Sequence, residues 1–189
     1  MAMIVPVAPF HTVETDLTFY SQNAKDLKAN SGYYILSTYV DQFSKWSWAT
    51  WIKDKTAVET SKALKRFIRA VPRGFKVQNI LHDMGKEYKQ KFIETLLGLG
   101  IKNKVTLAGS PAKHVESLNR SIREAATKFR TTYSTKRIVD YIPIYCRRLN
   151  QNQEHERTLH TPQVILEMDA EELKKVKNIM VRRGAIRNR

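Results

Sequence analysis

The sequence predicts an α/β domain with a mixed sheet, and three observations carry that expectation. Residues 33–40 (YYILSTYV) and 46–52 (WSWATWI) are rich in aromatic and β-branched residues and are joined by a short polar turn, which reads as a hairpin of adjacent strands. Beyond residue 56, apolar residues fall at helical spacing between capping and stop signals. Two further short apolar runs, at residues 76–82 and 101–107, alternate with those helices. A hairpin followed by alternating helices and strands mixes antiparallel and parallel pairing in one sheet.

The elements follow in order. Residues 11–19 (HTVETDLTF) alternate loosely and predict a first strand with Asp16 inside it. Residues 21–32 are polar and end in Gly32, which predicts a loop. The hairpin supplies the second and third strands, with Trp46, Trp48 and Trp51 expected to pack on the sheet. Thr56 and Glu59 form a capping box ahead of Leu64, Phe67, Ile68 and Val71, predicting a helix to about residue 70 that Pro72, Arg73 and Gly74 end. After the strand at 76–82, Tyr88, Phe92, Leu96 and Leu99 mark a helix that stops at Gly98 to Gly100, and a fifth strand follows. Ser110 caps the next helix with Pro111 in its first position, and Val115, Leu118, Ile122, Ala125 and Phe129 form its apolar stripe. A helix over 135–149 carries Pro143 in its interior, which predicts a kink. Beyond the polar linker QNQEHERT, residues 169–180 are a weaker helical stretch, and the sequence has no internal repeat.

Lys and Arg number 33 against 18 Asp and Glu, a formal net charge of +15 with a pI near 10.0. Charge so far from balance implies a polyanionic partner, and nucleic acid is the expectation. No apolar run approaches the about 20 residues that span a bilayer. MAMIVPVAPF has no basic stretch ahead of its apolar residues, so no secretory signal is expected. The single cysteine, Cys146, rules out a disulfide within the chain. The histidines at 11, 82, 114, 155 and 160 are too scattered to build a zinc site with one thiol, and His155 and His160 are expected in loops.

Three acidic residues stand where structure alone would not choose them. Asp16 lies within the first strand, Asp83 at the carboxyl end of the fourth, and Glu116 in the first turns of the helix that Pro111 opens. Sites in open α/β sheets collect at the carboxyl ends of parallel strands, and Glu116 flanks Val115 on the helix wheel, beside the buried stripe. Each acid alone also has a structural reading: Asp16 as a strand-end turn residue, Asp83 as an Asx turn ahead of Gly85, Glu116 as an acid favoured by the helix dipole. Together they point to chemistry, because converging carboxylates repel one another and hard divalent cations resolve that repulsion. Two Mg²⁺ ions about 4 Å apart suit phosphodiester chemistry, one activating the attacking oxygen and one stabilising the leaving oxygen. Gly85 is read as letting backbone and phosphate come close. Asp41 competes with Asp16 for the place of first ligand.

Four segments in this order, TDLTF, YYILSTYVDQFSKW, ILHDMGKEY and SPAKHVESLNRSIRE, resemble the catalytic core of retroviral-type integrases, in particular those of Maverick/Polinton-type DNA transposons and related viruses. The resemblance runs over residues 11–162, including residues 145–150 and the step His160, Thr161, Pro162; its most specific piece is VESLN followed by basic residues. It implies an RNase H-like fold, a five-stranded mixed sheet flanked by helices. In that fold Asp16, Asp83 and Glu116 are the catalytic D,D,E ligands of two Mg²⁺ or Mn²⁺ ions. It favours Asp16 over Asp41, whose family counterpart is structural and marks the hairpin with Phe43 and Ser44. Asp83 and Glu116 are separated by 32 residues, near the family's customary spacing. Asn119, Arg120 and Arg123 match residues that meet the donor DNA end, with Lys86 and Lys113 as further DNA-binding lysines. The helix wheel agrees independently: Glu116, Arg120, Arg123 and Arg130 share one face, so cations run away from the acids where a phosphate backbone could lie. Two departures from the family, Met84 for Asn and Lys113 with His114 for a glycine, bear on loop mobility and donor-end contacts rather than on metal binding.

The function this implies is a DNA integrase core, a metal-dependent polynucleotidyl transferase that processes donor 3′ ends and joins them to target DNA. A nuclease of the same fold and a non-catalytic DNA-binding module derived from an integrase are the alternatives, and the intact acids argue against the second. The expected partners are donor and target DNA and at least one further copy of the chain, with no membrane; the expected place is the nucleus of a host cell or a virion. Residues 1–165 are expected to form the core and residues 166–189 a C-terminal helix and basic tail, with seven Lys or Arg among the last sixteen residues. Neither a zinc-binding N-terminal domain nor an SH3-like C-terminal domain is expected within this sequence.

Overall fold

The computed structural model describes residues 6–106 and 113–187. Strand β1 (Thr12–Phe19) leads through a short helix α1 (Ala24–Ala29) into the hairpin of β2 (Ile35–Asp41) and β3 (Ser47–Ile52). Helix α2 (Ala57–Ala70), β4 (Asn79–His82), α3 (Lys91–Gly98) and β5 (Lys102–Val105) follow. The chain closes with α4 (Lys113–Thr132), α5 (Tyr141–Asn152), α6 (Pro162–Glu167) and α7 (Ala170–Arg187). The sheet order is β3-β2-β1-β4-β5; β2 runs antiparallel to β1 and β3, while β4 and β5 add in parallel beside β1. This is the mixed five-stranded sheet that the sequence predicts.

Period-two alternation sorts the sheet into two faces. Val13, Leu17, Ile35, Tyr39 and Ile52 pack on α2 and α3 through Leu64, Phe67, Phe92 and Leu96, and the Tyr39 and Phe67 rings stack 4.3 Å apart. Each such side chain, fully buried, stabilises the fold by about 1.5–3 kcal/mol. Leu36, Val40, Ala49 and Trp51 face the other way, against Val115, Leu118 and Ile122 of α4 and Ile142 and Cys146 of α5. The tryptophans pack on the sheet as expected: Trp51 is buried with its indole N–H donated to the Val139 carbonyl at 3.1 Å, and Trp46 and Trp48 lie against the α2 core. A third small cluster joins α7, through Val176 and Met180, to Phe43 and Ile165.

The departures from expectation have local causes. The polar stretch 21–32 holds α1 because the Asn23 side chain caps it, accepting the Asp26 N–H at 2.8 Å. Asn30 then accepts the Ile138 and Val139 N–H groups and donates to the Lys136 carbonyl, so residues 135–139 spend their backbone on a loop and α5 begins only at Tyr141. Pro143 therefore sits in the first turn of α5, where a missing N–H costs nothing, and the expected kink has no basis. Gln90, at φ 42°, separates a 3₁₀ turn (Lys86–Tyr88) from α3, so Tyr88 is not part of that helix. Thr161 caps α6 between the polar linker and the stretch expected as helical, where no element is expected. Asp169 and Glu172 form a reciprocal capping box that starts α7, which runs well past residue 180. Ser110 and Pro111 lie outside the described residues.

Asp41 closes the hairpin turn. Its Oδ1 accepts the Phe10 N–H at 2.9 Å, and its Oδ2 accepts both the N–H and the O–H of Ser44 at 2.7 Å. Burial pushes its carboxyl up to about 6 and pushes the neighbouring Lys45 ammonium down to about 7, although their opposite charges ease each other. A carboxylate so enclosed, 1% exposed, is a turn residue and has no face for a ligand.

Candidate active site

The site is built on the sheet face that α4 covers. Alternation along β1 sends Glu14 and Asp16 to that face. Glu14 is 2% exposed and anchors the start of α4: its Oε2 accepts the His114 and Val115 N–H groups, both at 2.9 Å, and its Oε1 accepts His114 Nδ1 at 2.8 Å and Gln42 Nε2 at 2.8 Å. Burial opposes its charge, but these donors hold its carboxyl below the ordinary value. Burial also lowers the proton affinity of His114, so at neutral pH a neutral imidazole donates to the carboxylate and the contact is a hydrogen bond rather than an ion pair. Glu14 thus fixes Glu116, one residue past Val115, relative to β1.

Asp16 is held from α4 as well. Its Oδ2 accepts Asn119 Nδ2 at 2.8 Å, and Asn119 Oδ1 accepts the Thr38 hydroxyl at 2.8 Å. Asn119 is 5% exposed and turns inward onto Asp16 and Thr38.

Asp83 follows the end of β4 and is exposed. Its Oδ1 accepts the Gly85 N–H at 2.9 Å, the Asx-turn geometry. Gly85 has an ordinary φ of −55°, so its backbone does not require glycine. Space does: a Cβ there would lie 2.6 Å from the Glu87 carboxyl group. The room read as an approach for phosphate is occupied by the chain's own carboxylate. Glu87 is 5% exposed, its Oε1 pairs with Lys55 at 3.1 Å, and its carbonyl accepts the Thr60 hydroxyl at 2.7 Å. Glu87 thereby ties the turn after Asp83 to α2 and to the segment before it. Gly85→Ala is expected to cost about 1–3 kcal/mol by overpacking. Adding Glu87→Ala is expected to recover part of that loss, a coupling that urea denaturation of the two single variants and the double variant measures.

These elements bring the three acids into one field. Burial raises the Asp16 carboxyl above its ordinary value, and the negative charges of Asp83, Glu116 and Glu87 raise it further. Among the described residues no three His, Cys, Asp or Glu side chains are grouped closely enough to form a finished metal site. Carboxylates that oppose one another's ionisation are nevertheless the hard-oxygen donor set that fits a divalent cation. Around them Lys86 is exposed on the 3₁₀ turn, Lys113 is exposed at the described start of α4, and Arg120 and Arg123 are exposed along it. Glu14 lies two residues from Asp16 at strand spacing, a signal that sequence reasoning passed over. Glu87 carried none, because its importance depends on the packing at Gly85.

A mixed sheet in this order, with acids on β1, after β4 and on the helix laid across β1, defines the RNase H-like class. Residues 6–111 match the family model described as Integrase core domain, and the chain belongs to that family of polynucleotidyl transferases. Among solved structures it is similar to the HTLV-2 integrase catalytic core domain in complex with magnesium, in a trimeric form (TM-score 0.69) and a dimeric form (TM-score 0.68). Both are 23% identical, over 84% of this chain and 97% of the other. It is also similar to a chain of the simian T-cell lymphotropic virus intasome in complex with PP2A regulatory subunit B56 gamma, with a TM-score of 0.75 and 19% identity, covering 89% of this chain and 58% of that one. The chain therefore spans less than two thirds of the intasome chain. The comparison with curated proteins gave no match. No helix among the described residues is long and apolar enough to cross a membrane.

Proposed function

We propose that this integrase core trims donor DNA 3′ ends and joins them to target DNA, with Asp16, Asp83 and Glu116 as the ligands of two Mg²⁺ or Mn²⁺ ions. The observation that supports the reading is that the Asp16 carboxyl on β1 feels the negative charges of Asp83, beyond β4, and of Glu116, in the first turn of α4. Bound divalent ions would supply an activated water or hydroxyl and a sink for charge on the leaving oxygen. The protein's own part is placement. Asn119 orients Asp16, the Gly85 N–H orients Asp83, and Glu14 sets the first turn of α4 that carries Glu116. Lys86, Lys113, Arg120 and Arg123 are the cations that would hold donor phosphates beside the acids. The reading includes DNA and at least one further copy of the chain as partners, and the host nucleus or a virion as the place of action. Incubating purified protein with a blunt duplex and Mn²⁺ tests it. Strands longer than the target are expected; cleavage without joining would leave a nuclease of the same fold, and neither product would leave a binding module.

The arginines separate specific placement from general attraction. Replacing Arg120 and Arg123 together with Glu is expected to cut end processing and joining on the order of a hundredfold at matched DNA occupancy, because misplacing the scissile phosphate by about 1 Å costs that much. Replacing the exposed Lys174 and Lys175 of α7 with Glu changes net charge equally and is expected to reduce binding and its salt dependence only. Equal losses of activity in the two variants would reduce Arg120 and Arg123 to general electrostatics.

A further inference from the structure

We propose that Thr38 is a positioning residue of this site: its hydroxyl fixes the Asn119 amide with the nitrogen toward Asp16, so that Asp16 is presented in one orientation. The proposal rests on the reading of Asp16 as a metal ligand. Asp16 and Thr38 are direct partners across β1 and β2, and alternation places both side chains on the face that α4 covers. Helix α4 brings Asn119 onto that pair from one turn beyond Glu116. Thr38 is fully buried, and its hydroxyl donates to Asn119 Oδ1 at 2.8 Å, with the Asp16 carbonyl as a longer alternative acceptor at 3.2 Å. Asn119 Nδ2 then donates to Asp16 Oδ2 at 2.8 Å.

The amide is held only when both of its ends are satisfied. An asparagine amide can present either its oxygen or its NH₂ group, and its neighbours decide which. The Asp16 carboxylate can only accept and so takes the NH₂ group, and Thr38 supplies the proton that the opposite oxygen then needs to stay buried in that place. Without that proton, Asn119 Oδ1 would be buried with no donor, a cost the side chain escapes only by turning away and abandoning Asp16. Asp16 would then face Asp83, Glu116 and Glu87 with no amide donor on Oδ2. The same chain of bonds hooks α4 to β1 a turn beyond Glu116, so it also bears on the spacing between Glu116 and Asp16.

Thr38→Val keeps the branched shape and removes the hydroxyl, whereas Thr38→Ser keeps the hydroxyl and removes the methyl group. Two readouts are taken: the side-chain NH₂ resonances of Asn119 in metal-free protein, with their exchange against solvent, and Mn²⁺ affinity by calorimetry. Thr38→Val is expected to shift those resonances, speed their exchange and weaken Mn²⁺ binding by about 10- to 100-fold, the range for losing a residue that orients a metal ligand. Thr38→Ser is expected to keep both near wild type. Thr38→Ala gives the same two readings if the Val variant does not fold. Unchanged Asn119 resonances and unchanged Mn²⁺ affinity in a folded, hydroxyl-free variant would overturn the proposal. Wild-type protein that fails to bind Mn²⁺ would instead overturn the metal reading, and the role in presenting a ligand with it. The metal-free spectra would still show whether Thr38 sets the amide.

Discussion

Asp16→Asn is expected to lower Mn²⁺-dependent strand joining by about a thousandfold or more while leaving the protein at least as stable as wild type. The activity loss follows from removing one ligand charge from a site whose chemistry would depend on metal-bound oxygens, an effect of several kcal/mol. The stability gain follows from the sign of the Asp16 shift. Its carboxyl is raised above the ordinary 3.8, so the folded protein holds that proton more tightly than the unfolded chain does. Stability from this group is then lost as pH rises through the window between the two values, and at neutral pH the ionised side chain is a net cost. Asparagine removes the cost and can still accept the Asn119 N–H. Thermal melts should therefore show the variant's advantage at pH 7 and lose it at or below pH 3.8. Asp83→Asn and Glu116→Gln should be equally inactive. Asp41→Asn should keep joining activity, because this enclosed side chain serves the hairpin turn through Phe10 and Ser44 and has no face for a ligand. Loss of joining in a folded Asp41→Asn protein, with activity kept in Asp16→Asn, would reverse the assignment of the first ligand.

Glu14→Gln is expected to destabilise the fold by about 3–5 kcal/mol, the cost of breaking a buried, fully hydrogen-bonded carboxylate. For a chain of this size that lowers the melting temperature by roughly 10 °C. One carboxylate oxygen receives two backbone N–H groups and the other receives His114 and Gln42. An amide nitrogen in either place meets donors with a donor. The first turn of α4 would be released from β1, and joining should fall at least tenfold because Glu116 rides on that turn. The pH dependence gives an independent check. The Glu14 carboxyl is held below its ordinary 4.5, so its contribution is present above that value and lost as pH falls below it. Denaturant titrations across this range should show a shallower acid limb in the variant than in wild type. An acid limb as steep as wild type would mean that Glu14 is not the group responsible.

The hairpin was legible because aromatic and β-branched residues crowd residues 33–52 and a polar turn divides them. The acids carry a functional reading only jointly, since Asp83 alone does make the Asx turn that a purely structural reading assigns it. The features that escaped depend on contacts far apart in sequence. The late start of α5 turns on Asn30, whose side chain reaches the backbone of residues 136–139. No local pattern reports such a bond. Asn119 flanks Leu118 and Ile122 on the wheel, so periodicity left it at the border between core and surface, and its inward turn needed Thr38 from another strand. Gly85 was flagged correctly as a position where space matters, but the occupant of that space, Glu87, follows from packing alone.

Anomalous diffraction from crystals soaked in Mn²⁺ tests the central claim most directly. A peak bridging the carboxylates of Asp16 and Asp83 is expected without DNA, with a second peak near Glu116 strengthening once a phosphate completes its coordination. Ordered, Mn²⁺-soaked crystals with no peak at Asp16 and Asp83, or with the ion bound elsewhere, would contradict the account.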